Sequence, residues 1–108
     1  MPVQLAKPIA AYFSSENVGD VEASTACFTA DATVRDEART MQGLAAIEQW
    51  RVAAKKKYQH TVEPLDATER DGNTVVTVKV SGNFPGSPVN LQYVFGLKSG
   101  KIASLEIS

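Results

Sequence analysis

The chain has 108 residues, with 44% hydrophobic and 21% charged side chains and a formal net charge of −1. That length supports one core and one domain, 1–108, and the near-neutral charge gives no footprint for nucleic acid or a membrane surface as partner. One cysteine and one histidine exclude an internal disulfide and a zinc-ligand set, and no apolar run approaches the ~20 residues that span a bilayer. With no signal-peptide pattern at the N-terminus, a cytoplasmic location is expected.

Pro8 suits the first turn of a helix, and Ile9, Tyr12 and Phe13 share one face of it up to about Glu16. Asn17-Val18-Gly19 breaks this helix. Asp20 then caps a second short one, with Val21, Ser24 or Thr25, and Phe28 turned inward. Cys27, beside Phe28 on that helix, reads as a small packed hydrophobe. A first strand follows over about 31 to 37, and Arg39 to Gly43 read as a loop. A third helix runs from about Leu44 to Tyr58, its stripe formed by Leu44, Ile47, Trp50 or Arg51, Ala54 and Tyr58. Lys55, Lys56 and Lys57 read as its solvated C-terminal end, where positive charge complements the helix dipole.

From His60 onward the period switches to two, predicting strands over about 60 to 70, 73 to 83, 89 to 98 and 101 to 107. Asp71-Gly72-Asn73 and Lys98-Ser99-Gly100-Lys101 make tight turns. Asn83 to Pro88 forms a longer turn stiffened by two prolines. Phe84 within it caps the pocket mouth, reaches a partner subunit, or anchors a rigid connection to the core. Helices gathered ahead of a strand meander predict an α+β fold, with helices on one face of a curved, mainly antiparallel sheet.

Asp36 stands out. Alternation along the first strand puts it on the row of Ala32 and Val34. A carboxylate on a core-facing row is costly unless it is satisfied or does chemistry. One reading pairs it with Arg39, Arg51 or His60, or leaves it solvated at the strand end. The other makes it a general base in an apolar cleft. Tyr12 and Tyr93 carry hydroxyls on apolar rows and read either as core residues or as donors to a substrate oxygen.

Tyr12, the run Val18-Gly19-Asp20-Val21-Glu22-Ala23, Phe28, Asp31-Ala32-Thr33-Val34, Asp36, Gly43 and Ile47 resemble the ketosteroid isomerase pattern in order and spacing. The chain is similar to the nuclear transport factor 2-like superfamily, in its SnoaL-like branch. The resemblance implies a cone-shaped α+β half-barrel enclosing one apolar pocket, no cofactor, and a homodimer through the outer sheet face around Val75, Thr77 and Val94. It implies that Asp36 holds the position of the general base and Tyr12 that of an oxyanion donor. Tyr93 stands where the isomerase keeps a protonated aspartic acid, so the resemblance does not extend to steroid isomerisation. Phe28, Val34, Trp50, Tyr58, His60, Phe84 and Phe95 are the candidate pocket walls around a small apolar molecule. Two functions follow. One is a cofactor-independent isomerase, cyclase or dehydratase for a hydrophobic carbonyl compound; the other is a non-catalytic ligand-binding or dimerisation module.

Overall fold

A computed structural model describes residues 4–36 and 38–108 of the chain. The first helix, α1 (Lys7–Val18), carries Pro8 in its opening turn, where a missing N–H leaves no bond unmade. Gly19 ends it at φ 75° and ψ 22°, a left-handed conformation that a Cβ would disfavour. The short α2 (Val21–Ala26) is capped by Asp20, whose carboxylate accepts from the Ala23 N–H at 3.0 Å. The third helix, α3 (Leu44–Tyr58), ends in a lysine-rich turn.

Six strands build one sheet: β1 (Phe28–Asp36), β2 (Arg39–Gln42), β3 (Thr61–Arg70), β4 (Asn73–Ser81), β5 (Val89–Lys98) and β6 (Lys101–Ile107). Their spatial order is β2-β1-β6-β5-β4-β3. Every neighbouring pair is antiparallel except β1 with β6, which is parallel. The three helices pack on this curved, unclosed sheet, giving the expected α+β cone. Among the described residues, no helix is long and apolar enough to cross a membrane.

Three local expectations are corrected. Residues 39–42 are strand, not loop: β2 pairs with the far half of β1, from Thr33 opposite Gln42 to Asp36 opposite Arg39. This pairing covers a row of backbone groups that would otherwise lie at the sheet edge. Only Met41 of the four is buried, so no alternating pattern announced the strand. Phe28 belongs to β1 and not to the second helix; its backbone is in register with Ile102 of β6. The expected end of the first strand at Glu37 lies outside the described residues. Finally, Lys55 is not a solvated helix end, because its ammonium donates to the backbone carbonyls of Glu16, at 2.8 Å, and of His60.

The core lies between α1, α3 and the inner sheet face. Ile9, Tyr12, Phe28, Ala32, Val34, Ile47, Val76, Val78, Phe95 and Ile102 have no more than 1% of their surface exposed. A bulge in the β5–β6 register skips Ala103, so Ile102 and Leu105 both face inward despite their odd separation. On the outer face, Val75 opposes Val94, but Thr77 opposes Gln92 and Lys79 opposes Asn90. Along β4 and β5 this face thus sets one valine pair beside polar pairs.

At the free edge, Asn17 closes a gap between layers. Its amide donates to the Val62 carbonyl at 2.9 Å and accepts from the Val62 N–H at 2.7 Å. The side chain thereby imitates a neighbouring strand for one residue of β3.

Candidate functional site

Asp36 ends β1 half-buried, on the row of Ala32 and Val34. The Trp50 indole N–H, from α3, donates to its Oδ2 at 3.0 Å. Both residues line a cavity of about 280 Å³. Tyr58, His60 and Arg51 form another part of the wall, and Val80, Val89, Leu91, Tyr93 and Ile107 line it from the sheet. Phe84, from the β4–β5 connection, completes it and meets the Tyr58 ring edge-on at 5.8 Å and 88°. A second cleft of about 440 Å³ shares Asp36, Trp50, Ala54 and Tyr58 with the first and adds Arg39, Gln49 and Lys57.

Arg51 and His60 connect the cavity wall to a buried polar cluster. Arg51, 3% exposed, donates through Nη1 to the Tyr12 hydroxyl at 3.0 Å and through Nη2 to Glu16 Oε1 at 3.0 Å. Its guanidinium carbon lies 4.1 Å from the centre of the Trp50 ring, a cation–π contact. His60 Nε2 lies 3.3 Å from Glu16 Oε1. Burial alone pushes the Glu16 carboxyl up, but hydrogen bonding from His60 and the charge of Arg51 outweigh it and hold the group below its ordinary value. Burial likewise works against the Arg51 charge, and Tyr12 and Glu16 more than offset it.

The two tyrosines separate in role. Tyr93 lines the cavity and is 4% exposed. Burial, then the charge of Glu16, push its phenol above the ordinary value of 10.0, with Asp36 adding to the effect and Arg51 opposing it. It therefore stays an O–H donor at neutral pH. Tyr12 is fully buried and does not line the cavity. Its ring packs edge-on against Phe28 at 5.7 Å and Phe95 at 5.9 Å, and its hydroxyl serves Arg51. Burial raises its phenol well above the ordinary value too.

Of the residues expected around a ligand, Trp50, Tyr58, His60 and Phe84 line the cavity with Asp36 and Tyr93. Phe28, Val34 and Phe95 do not; each is at most 1% exposed and packed in the core. They share a strand face with cavity residues, but α1 covers their part of that face: the Phe13 ring lies 5.6 Å from that of Phe95. Sequence reading missed Glu16 as a partner and left Arg51 as one option for a helical stripe. A usable signal was present: Glu16 continues the Tyr12 row and Arg51 the Ile47 row at a spacing of four. Opposite charges on two core-facing rows predict their meeting. Among the described residues, no cluster of three or more His, Cys, Asp and Glu side chains is placed to hold a metal ion.

The family model of the SnoaL-like domain matches residues 9–105. A candidate polyketide cyclase from Sinorhizobium meliloti superposes with a TM-score of 0.92 at 44% identity, over 96% of this chain and 95% of that one. SalBIII, an epoxide hydrolase/cyclase-like enzyme of pyran ring formation in the polyether salinomycin, superposes at 0.80 with 26% identity, over 94% and 86% of the two chains. A Catenulispora acidiphila protein with a ketosteroid isomerase-like fold, solved with trimethylamine, shares that fold at a TM-score of 0.84 and 18% identity, over 97% and 86%. No curated protein matches the chain significantly. With the family model spanning nearly its whole length and the α+β cone in place, the chain belongs to the SnoaL-like family of the nuclear transport factor 2-like superfamily.

Proposed function

We propose that the protein is a cofactor-independent cyclase, isomerase or dehydratase acting on a small hydrophobic carbonyl compound, with Asp36 as general base. The observation that carries this reading is the Asp36 carboxylate itself. It lines an apolar-walled cavity and has one oxygen engaged by the Trp50 N–H at 3.0 Å. A carboxylate so held can take a proton from the carbon beside a carbonyl. The C–H electron pair moves into the carbonyl, and the enolate oxygen accepts a hydrogen bond from the Tyr93 hydroxyl. The enolate is then reprotonated at another carbon, or its carbon attacks a second carbonyl and water is later lost. A cavity of about 280 Å³ lies at the small end of ligand sites and suits one or two fused rings. The likeness to a candidate polyketide cyclase supports the same class.

The test needs no natural substrate. Exchange of the α-protons of 1-tetralone for deuterium in D₂O, followed by proton NMR, reads base catalysis directly. Wild-type protein is expected to accelerate exchange above buffer, and Asp36→Asn to lower that acceleration about 100-fold or more. Binding, read from the fluorescence of the single tryptophan, Trp50, is expected to persist in the variant. Equal exchange by wild type and variant, with binding retained, would instead make the cavity a non-catalytic binding module.

A further inference from the structure

The second cleft, of about 440 Å³, lies between β2 and α3. Residues 46, 50, 53 and 57 of α3 recur at spacings of four and three, so one stripe of the helix faces it. Ala46, Ala53 and Ala54 leave room there that larger side chains would fill. Asp36, Trp50, Ala54 and Tyr58 bound both this cleft and the apolar-walled cavity. Among the described residues, the charged lining of the cleft is two cations, Arg39 and Lys57, against the carboxylate of Asp36. Both cations stand beside the shared wall. Arg39 lies directly opposite Asp36 in the β1–β2 register, so the two side chains leave the same face of the sheet. The Lys57 ammonium lies 5.1 Å from the centre of the Tyr58 ring. Both residues are exposed, and neither forms an ion pair with another described residue.

We infer that cavity and cleft take one ligand together, a ring ketone that carries a carboxylate on a short arm. The ring lies in the cavity, and the arm crosses the rim at Asp36 and Trp50 so that its carboxylate meets Arg39 and Lys57. A guanidinium offers parallel N–H donors to a carboxylate, and the lysine ammonium adds a second positive charge. These two charges also answer the repulsion that Asp36 exerts on an anionic substrate. Arg51 takes no part, because its guanidinium is committed to Tyr12 and Glu16. Asp36 stands where the two spaces meet, with one oxygen held by the Trp50 N–H at 3.0 Å. An arm anchored at its far end thus brings the carbon beside the carbonyl to this carboxylate. The inference rests on the Asp36 reading for the reacting carbonyl and adds the anionic group to that substrate.

4-Phenylbutanoate and its neutral isostere 4-phenylbutanamide test this without proton abstraction, so the outcome is separable from that of the tetralone exchange. Affinities are read by titration calorimetry, with butanoate as a probe that lacks the ring. Wild-type protein is expected to bind the acid about fivefold more tightly than the amide. In the double variant Arg39→Gln/Lys57→Gln this ratio is expected to fall to about one. Raising the salt from about 20 mM to about 500 mM is expected to reduce the ratio in wild type, because exposed charges are screened. The salt series needs no variant, so the test stands whatever the double substitution does to folding. Equal affinities for acid and amide in wild type overturn the inference. So does an acid preference that the double variant or high salt leaves intact. Butanoate binding as tightly as 4-phenylbutanoate, or no binding by either phenyl compound, overturns it as well.

Discussion

Trp50 does two jobs at once, and they can be separated. Its indole N–H holds Asp36, and its ring face receives the Arg51 guanidinium at 4.1 Å. Trp50→Phe keeps a ring for Arg51 and deletes the donor, so Asp36-dependent exchange is expected to slow. Stability is expected to fall by about 1.5 kcal/mol, the worth of a hydrogen bond to a charged group, as read from urea unfolding. Glu16→Gln acts on the buried pair. It leaves the Arg51 charge uncompensated in a site only 3% exposed, and a loss of about 3–5 kcal/mol is expected. The same residue sets an acid dependence. Because its folded carboxyl lies below the ordinary value of 4.5, the unfolded chain binds that proton more readily. The contribution is complete above about pH 4.5 and is lost as the pH falls through the folded value. Urea midpoints measured between about pH 6 and pH 3 are expected to fall less steeply in Glu16→Gln than in wild type. These residues differ in how legible they were. Asp36 was readable because strand parity fixes its row. Glu16 and Arg51 were legible only in part, because their spacing of four from Tyr12 and Ile47 puts each charge on a core-facing row, while the packing of α1 against α3 decides that the two rows meet.

At the level of elements, the Asn17 amide is the point where α1 grips the sheet. It meets both backbone groups of Val62, a residue 4% exposed. Asn17→Ala leaves that N–H and C=O unpaired, and a loss of about 2 kcal/mol is expected. Faster amide exchange at Val62 would locate the effect at the edge of β3. No sequence pattern points to this role, since Asn-Val-Gly reads first as a helix stop. The helices and long strands were legible because α3 repeats at helical spacing and residues 73–81 alternate. β2 was not, because four residues with one buried side chain carry no period, and pairing with β1 alone makes them a strand. The bulge at Ala103 was hidden in the same way, since it is a property of the β5–β6 register and not of either strand.

For the whole molecule, the cavity is assembled from distant parts of the chain: Asp36 at the end of β1, Trp50 and Arg51 on α3, His60 before β3, Phe84 in a connection, and Tyr93 on β5. Composition and order forecast the frame, but pocket walls depend on which inner-face residues α1 covers. That is why Phe28, Val34 and Phe95 were expected at the cavity and found in the core. The parallel pairing of β1 with β6 has a further consequence, in the order of assembly. Because β6 stands between β1 and β5, the sheet divides into a β2-β1 part and a β5-β4-β3 part until it arrives. During synthesis, β1 and β5 therefore cannot be joined through the sheet until β6 has been made. A chain ending at Lys98 is expected to lack the cooperative unfolding transition of the full chain. A peptide carrying Lys101–Ile107, added in trans, is expected to restore that transition, which circular dichroism melts would show. Restoration in trans would make the strand that joins the two halves of the sheet a detachable key, and the pair of pieces a split reporter.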